Sequence, residues 1–356
     1  MNIFENKFCQ KIFYPFSLIY GAIIWIRNKS YDKKFFRSFK IENCTIISVG
    51  NISVGGTGKT PVINFLARYL SEIGFEVVVL SRGYRRKSKN TLIVSDGKEI
   101  LISSEEAGDE PYLLARQLKG IPIVVEADRY KAALLIQEKF KSDVILLDDG
   151  FQHRRLMRDL DIVLVDASRG FSNGFLLPAG FLREPISSLK RADLIWFTRT
   201  DQSKNLEQLI GKVRHVSSKP ILKSCHQPAE IIQALSKKRY DLCYLNQKRV
   251  FLFSGIGNPL AFEETIKKLG ALVISHVKFS DHYQYTQKCL DKLIRQAQQS
   301  DTDLILTTEK DYIRIENLLK SENPIYYLTI GICISDAADQ FKEIIISKIY
   351  KKSLKM

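Results

Sequence analysis

No Cys-x-x-Cys pair occurs in this chain, and no histidine stands at metal-finger spacing from its six cysteines. Neither a zinc site nor a disulfide framework is indicated, and a reducing cytosol is the expected compartment. Low-complexity tracts and internal repeats are missing too, which leaves an ordinary globular composition. A membrane-spanning run is also lacking. The most apolar uncharged segment, residues 12–26 (IFYPFSLIYGAIIWI), falls short of the ~20 residues needed to cross a bilayer. No Ala-x-Ala-like cleavage site follows it, and its charges, Arg27 and Lys29, come after the apolar run, so a signal peptide fits poorly. Tyr14, Tyr20 and Trp25 are residues that favour a membrane–water boundary. The segment reads as a helix lying in the headgroup region, with burial in a soluble core as the alternative.

Acidic residues are scarce relative to basic ones: 39 against 54, for a net charge of +15. The excess sits partly near the start (Arg27, Lys29, Lys33, Lys34, Arg37, Lys40) and partly in the tail (Lys348, Lys351, Lys352, Lys355). Such a balance suits an anionic partner: nucleic acid, anionic lipid or a phosphorylated substrate.

The most informative stretch is residues 44–61, CTIISVGNISVGGTGKTP. A β-branched run leads into a glycine-rich turn ending Gly58-Lys59-Thr60, and a helical pattern follows. Strand, glycine turn and helix form the context of a phosphate-binding loop. Glycines let several backbone N–H groups converge on one phosphate, and the helix dipole adds attraction. Ser53, Val54, Gly55, Gly56, Thr57, Gly58, Lys59 and Thr60 form the expected nucleotide-binding set. Lys59 would reach the β- and γ-phosphates, and the Thr60 hydroxyl would bind Mg²⁺. The loop departs from the usual spacing, because Ser53 replaces its first glycine and Gly55-Gly56 supplies the flexibility.

Downstream, short β-branched and leucine-rich runs alternate with helical patterns: strands at 76–81, 121–125, 143–148, 161–166 and 193–197, helices at 106–118 and 128–140. This alternation indicates a parallel sheet covered on both faces. Residues 199–218 read as polar helix or loop, and a second α/β unit follows, with strands at 249–253, 271–277, 303–307 and 325–329 and a final helix at 336–350. The expected organisation is α/β: a mainly parallel P-loop NTPase-type sheet flanked by helices, residues 31–215, after an N-terminal membrane-interface helix, 1–30. A smaller α/β domain, 216–356, would close over the active site.

Asp148 and Asp149 end an apolar strand, which is how a carboxylate is placed beside a nucleotide's Mg²⁺. His153 follows closely, with two arginines after it. Asp109 opens a helix, where it serves either as an N-cap or as a general base facing a substrate hydroxyl. Asp281-His282 in the second domain could meet the first-domain acids if the domains close. Thr198-Arg199-Thr200-Asp201 faintly resembles a guanine-reading motif and would favour a GTPase. A membrane-associated nucleotide switch is the other competing reading. Val54, where partitioning ATPases carry lysine, counts against it.

Taken together, SVGNISVGGTGKTP, LSRGYRRK, AGDEPYLLA, EADRY, LLDDGFQHRRL, DLDIVLVDA, LLPAGFLREP, FSDHYQYT and TTEKDYIRI resemble the tetraacyldisaccharide 4′-kinase (lipid A 4′-kinase) family, in order from about residue 46 to 315. The resemblance implies transfer of the γ-phosphate of ATP, with Mg²⁺, to the 4′-hydroxyl of a tetraacylated glucosamine disaccharide 1-phosphate. The product would be lipid IVA, made on the cytoplasmic face of the bacterial inner membrane. It also implies Asp109 as base, His282 as its partner with Asp281 nearby, and Asp148 and Asp149 as metal-linked acids. Tyr84, Glu110, Arg129, His153 and Arg183 fall in motifs lining the site. The partners expected are then the lipid substrate and the membrane surface. Nucleic acid drops out, and no obligate protein partner follows.

Overall fold

The structure, a computed structural model, describes residues 7–83, 86, 90–320, 324–336 and 338–353. The chain forms two compact units, Met1–His226 with Ile332–Met356, and Gln227–Gly331. It opens with α1 (Lys7–Asp32), longer than the uncharged segment alone. Then follow β1 (Thr45–Asn51), α2 (Lys59–Glu72), β2 (Val77–Ser81), β3 (Leu92–Ser95), α3 (Ser104–Ala107), α4 (Asp109–Gln117), β4 (Ile123–Val125) and α5 (Arg129–Phe140). β5 (Val144–Asp148), β6 (Leu160–Asp166), β7 (Leu194–Thr198), α6 (Leu206–Val216) and β8 (Ile221–Gln233) complete this stretch.

In the first unit the strands lie in the order β8-β7-β6-β1-β5-β2-β4-β3. Every neighbouring pair is parallel except β3 on β4. β1, β2, β5, β6 and β7 are buried at every position, the mark of a parallel sheet covered on both faces. On one face Val62, Leu66 and Leu70 of α2 pack with Leu114 of α4. On the other, Ala132, Ala133 and Ile136 of α5 cover Val78, Leu80 and Leu147.

β1 lies between β5 and β6, and this placement builds the site. Val49 stands in register with Asp148 of β5, and Asp166 of β6 with Thr198 of β7. The strand tips therefore bring the loop after β1, the acids after β5 and the turn after β7 to one edge of the sheet, where open α/β folds bind ligands.

α1 shows one side to the unit and the other to solvent. Ile24 is buried, and Ser17 Oγ both donates to Leu176 O and accepts from Ala179 N, each at 2.9 Å. Further along, Tyr20 Oη donates to Arg183 O at 3.0 Å, and Asn28 Nδ2 to Glu184 Oε2 at 2.9 Å. Among the described residues no helix is long and apolar enough to cross a membrane.

The second unit carries β9 (Arg239–Tyr240), β10 (Arg249–Ser254), α7 (Pro259–Lys268), β11 (Leu272–Lys278), α8 (Gln287–Gln299), β12 (Leu304–Thr308) and α9 (Glu309–Ile315), then enters β13 (Ile325–Asp336). β11, β10, β12 and β13 run parallel in that order. Side chains of Asn258, Thr286 and Thr308 cap α7, α8 and α9 by accepting from backbone N–H groups of the first turn. The end of β13 and α10 (Ala338–Ser353) return to the first unit. There Phe341, Ile345 and Ile349 join the α2 core, so the second unit is 227–331 beside the expected 216–356.

Candidate active site

The phosphate loop joins β1 to α2. Gly55 and Gly58 have φ of 103° and 81°, a left-handed conformation that favours glycine. At Gly58 a Cβ would also stand 2.7 Å from His226 Nε2, so both backbone and packing demand glycine. The loop is braced from behind. Thr198 Oγ1 donates to Thr57 O at 2.9 Å, Arg199 Nη1 to Gly56 O at 2.7 Å, and Asn51 Nδ2 to Thr57 Oγ1 at 2.9 Å. In a trans peptide the N–H points away from the C=O. Fixing these two carbonyls therefore turns the N–H groups of Thr57 and Gly58 to the opposite side, as an anion cradle needs. Before the glycines, Val54 N donates to Phe181 O at 2.8 Å, and Ser53 bridges to Leu182.

Lys59 opens α2 and stands 3.5 Å from Asp149 Oδ1. Arg183 Nη1 donates to both oxygens of Asp149, at 3.2 and 2.9 Å. Asp149 itself holds a left-handed backbone, φ 54°, an uncommon conformation for a residue with a side chain. Burial pushes its carboxyl up, but Lys59 and Arg183 outweigh this and bring it down to about 2. Its neighbour Asp148 behaves oppositely. Burial, reinforced by Glu110, pushes Asp148 up to about 6, against the pull of Lys59. Ser81 Oγ donates to Asp148 Oδ2 at 2.8 Å.

Arg129 is buried behind these acids, with Nη1 donating to Glu126 O at 2.7 Å and Nη2 to Asp148 O at 3.3 Å. Burial lowers it to about 10. His153 is lowered to about 4, by burial and then by Arg129. Nε2 of His153 and Nε of Arg129 are buried polar atoms without a hydrogen-bond partner.

Asp109 is not an N-cap. Ser103 caps α3 in a reciprocal box with Glu106, and Gly108, at φ 89°, separates α3 from α4. Asp109 is the first residue of α4, and Pro111 lies in that helix's first turn. Of the residues expected at the site, Lys59, Asp148, Asp149 and Arg183 are brought together by direct contacts or mutual fields, with Glu110, Arg129 and His153 around them. Asp281 and His282 belong to the second unit, where His282 Nε2 is 4.0 Å from Asp281 Oδ1. Tyr84 lies outside the described residues.

Sequence reasoning passed over several residues of this site. Ser81 ends a buried strand and gave no signal beyond that. Gln152 Nε2 donates to Asn51 O at 2.9 Å, and Arg27 of α1 donates to Gln152 O. Thr198 and Arg199, which in sequence resemble part of a guanine-reading motif, hold the phosphate loop here. Arg199 also pairs with Asp166, and its Nε lies 3.3 Å from Nδ1 of His226.

An ATP-bound divalent cation suits this donor set. Asp148 and Asp149 adjoin each other with Glu110 close by, and burial, reinforced by this concentration of acid, raises Asp148. Thr60 adds a buried hydroxyl. All are hard oxygen donors, as Mg²⁺ prefers. Among the described residues no cluster of three or more His, Cys, Asp or Glu could hold a metal alone.

The family model for tetraacyldisaccharide-1-P 4′-kinase matches residues 9–350. A tetraacyldisaccharide 4′-kinase of Syntrophus aciditrophicus is 41% identical, covering 88% of this chain and 87% of its own. One from Halothermothrix orenii is 36% identical over 90% of this chain and 88% of its own. The crystal structure of LpxK from Aquifex aeolicus in complex with ATP is similar at a TM-score of 0.77 and 35% identity, covering 96% of this chain and 99% of that one.

Proposed function

The chain belongs to the tetraacyldisaccharide-1-P 4′-kinase family, and from that membership we propose one reaction. The γ-phosphate of ATP passes to the 4′-hydroxyl of a tetraacylated glucosamine disaccharide 1-phosphate, giving lipid IVA for lipid A and lipopolysaccharide synthesis. The observation that carries this reading is Lys59 and Arg183 converging on Asp149 beside a braced phosphate loop.

Phosphoryl transfer asks for positioning and charge neutralisation more than for covalent chemistry. The N–H groups of Thr57 and Gly58 and the ammonium of Lys59 bind the transferring phosphate. Thr60, Asp148 and Asp149 would hold Mg²⁺, which when bound would supply charge stabilisation on the phosphate oxygens. Asp149, fixed by two cations, stays ionised throughout the working pH range. Asp109 takes the proton of the acceptor hydroxyl, and His282 is the second catalytic residue. Glu110, Arg129, His153, Arg183 and Asp281 support the substrates or these groups.

The acceptor is lipid-borne, and α1 offers a surface for it. Phe8, Ile12, Phe16, Ile19, Ile23 and Ile26 are exposed at helical spacing on one stripe. Exposed Lys29, Lys33 and Lys34 follow at the helix end. An apolar stripe with basic residues beside it fits an anionic bilayer surface, here the cytoplasmic face of the inner membrane.

The test is transfer of labelled phosphate from Mg-ATP to a tetraacylated disaccharide 1-phosphate in detergent, with a thermal melt to show that the protein is folded. Folded protein without transfer rules the reading out.

A further inference from the structure

His282 sits in a scaffold built for one side chain. Its backbone is left-handed, φ 61°, and its N–H donates to Gly255 O at 3.1 Å. The same carbonyl accepts from Arg314 Nη1 at 2.9 Å. Nη1 of Arg314 also donates to Asp311 Oδ1 at 3.0 Å, and Nη2 lies 3.2 Å from Nδ1 of His282. Asp311 is fully buried and holds the assembly from below. Both of its oxygens accept from Gly255 N at 3.1 Å, and it accepts from Tyr285 Oη at 3.1 Å and Thr308 Oγ1 at 2.7 Å. The Arg314 side chain is only 2% exposed.

A guanidinium carries donors and no acceptor. Facing it, Nδ1 of His282 can only accept, so the proton of the neutral ring lies on Nε2. We infer that Arg314 is a positioning residue that holds His282 as the Nε2–H tautomer. In that state Nδ1 is taken up as acceptor from Arg314, and Nε2 carries the ring's proton as its donor. His282 therefore acts by donating a hydrogen bond from Nε2 and is not the group that takes the acceptor's proton. That task stays with Asp109. The inference rests on the proposed role of His282 for its meaning in catalysis, while the tautomer itself does not.

The tautomer is read directly on the full chain by long-range ¹H–¹⁵N correlation of ¹⁵N-histidine-labelled protein, with His282→Gln assigning the signal and exposed His215 as the internal reference. The expected pattern is a protonated Nε2 and a bare, hydrogen-bonded Nδ1 for His282. A protonated Nδ1, or a pattern averaged over both tautomers, overturns the inference with no variant needed. Kinetics supply the second arm. Arg314→Lys, which keeps one donor, is expected to retain more kcat than Arg314→Met. The latter should lose about tenfold or more, with the KM for ATP within about twofold. Equal loss in both, with the Nε2–H pattern kept in Arg314→Met, also overturns it. Should His282→Gln keep full kcat, the assigned role of His282 fails, whatever the tautomer.

Discussion

Tyr20 of the N-terminal helix donates its hydroxyl to the backbone carbonyl of Arg183 at 3.0 Å. Arg183 in turn donates its guanidinium to Asp149 at 2.9 Å. Two hydrogen bonds thus separate a helix with an exposed apolar stripe from the carboxylate beside Lys59. Burial, then the field of Glu184, pushes the Tyr20 hydroxyl up, so it remains a donor at every working pH.

Tyr20→Phe removes this hydroxyl and little else. One hydrogen bond contributes about 0.5–1.5 kcal/mol, so kcat should fall roughly two- to tenfold. KM for ATP and binding to vesicles should not change. Steady-state kinetics with vesicle sedimentation check this. Unchanged kcat with weakened vesicle binding would mean that Tyr20 serves docking and leaves Arg183 unaffected.

Lys59→Ala should lower kcat by roughly 10²-fold or more, because it removes a positive charge from the developing phosphoryl transition state. Lys59 also pulls both neighbouring carboxyls down. Near wild-type turnover in a folded Lys59→Ala protein would refute the assignment of the loop.

Asp148 and Asp149 should respond to pH with opposite signs. The folded pKa of Asp148 is raised from 3.8 to about 6, first by burial. Its contribution to stability is full below about 3.8 and is lost as pH rises through about 6. Asp148→Asn should then be more stable than wild type at pH 8 without ligand, by on the order of 3 kcal/mol, and converge with it near pH 4. Asp149 is lowered from 3.8 to about 2 despite burial, because Lys59 and Arg183 outweigh it. Its contribution is present above 3.8 and lost as pH falls through about 2. Asp149→Asn should therefore melt lower than wild type at pH 7. Both variants should need more Mg²⁺ for activity. Melts at pH 4, 7 and 8 with Mg²⁺ titrations decide it, and two variants shifting the same way at pH 8 would contradict the paired assignment.

The parts of the site that sequence made legible are those where local pattern dictates geometry. A β-branched run before glycines places the phosphate loop, and an apolar run ending in two aspartates places Asp148 and Asp149 at a strand tip. β8 was not legible. Its sequence, ILKSCHQPAEIIQ, carries Pro228 and three charged or imidazole side chains among few apolar ones, so neither alternation nor a hydrophobic run marks it. Pairing to β7 at residues 221–223 supplies what propensity does not. The tasks of Arg199 and Tyr20 were hidden for a related reason. Arg199 meets Gly56 across 143 residues of chain, and Tyr20 meets Arg183 across 163. Such contacts depend on strand order and on the seat of α1, which no local pattern encodes.

The last prediction concerns that seat. Ile12, Phe16, Ile19, Ile23 and Ile26 are each at least half exposed, while Ser17, Tyr20, Asn28 and Arg27 on α1 bond to the unit. The two sets can be altered separately. Deleting the helix would also remove the supports of Arg183 and Gln152, and so would confuse docking with catalysis. Replacing Phe16, Ile19 and Ile23 by serine leaves those hydrogen bonds in place. Burying each such side chain in a bilayer interface contributes up to about 1.5–3 kcal/mol. The triple variant should therefore lose most of its binding to anionic vesicles. The basic residues after the stripe contribute about 1 kcal/mol each near an anionic surface, and this part is screened by salt. Wild-type binding should weaken with salt without vanishing, because the apolar contribution does not depend on it. The variant's residual binding should disappear at high salt. Apparent KM for a lipid acceptor in vesicles should rise, while kcat in detergent, ATP affinity and the melting temperature stay close to wild type. Vesicle sedimentation at two salt concentrations, paired with kinetics in vesicles and in detergent, measures all of this. Unaltered vesicle binding by a folded triple variant would remove the stripe from membrane docking.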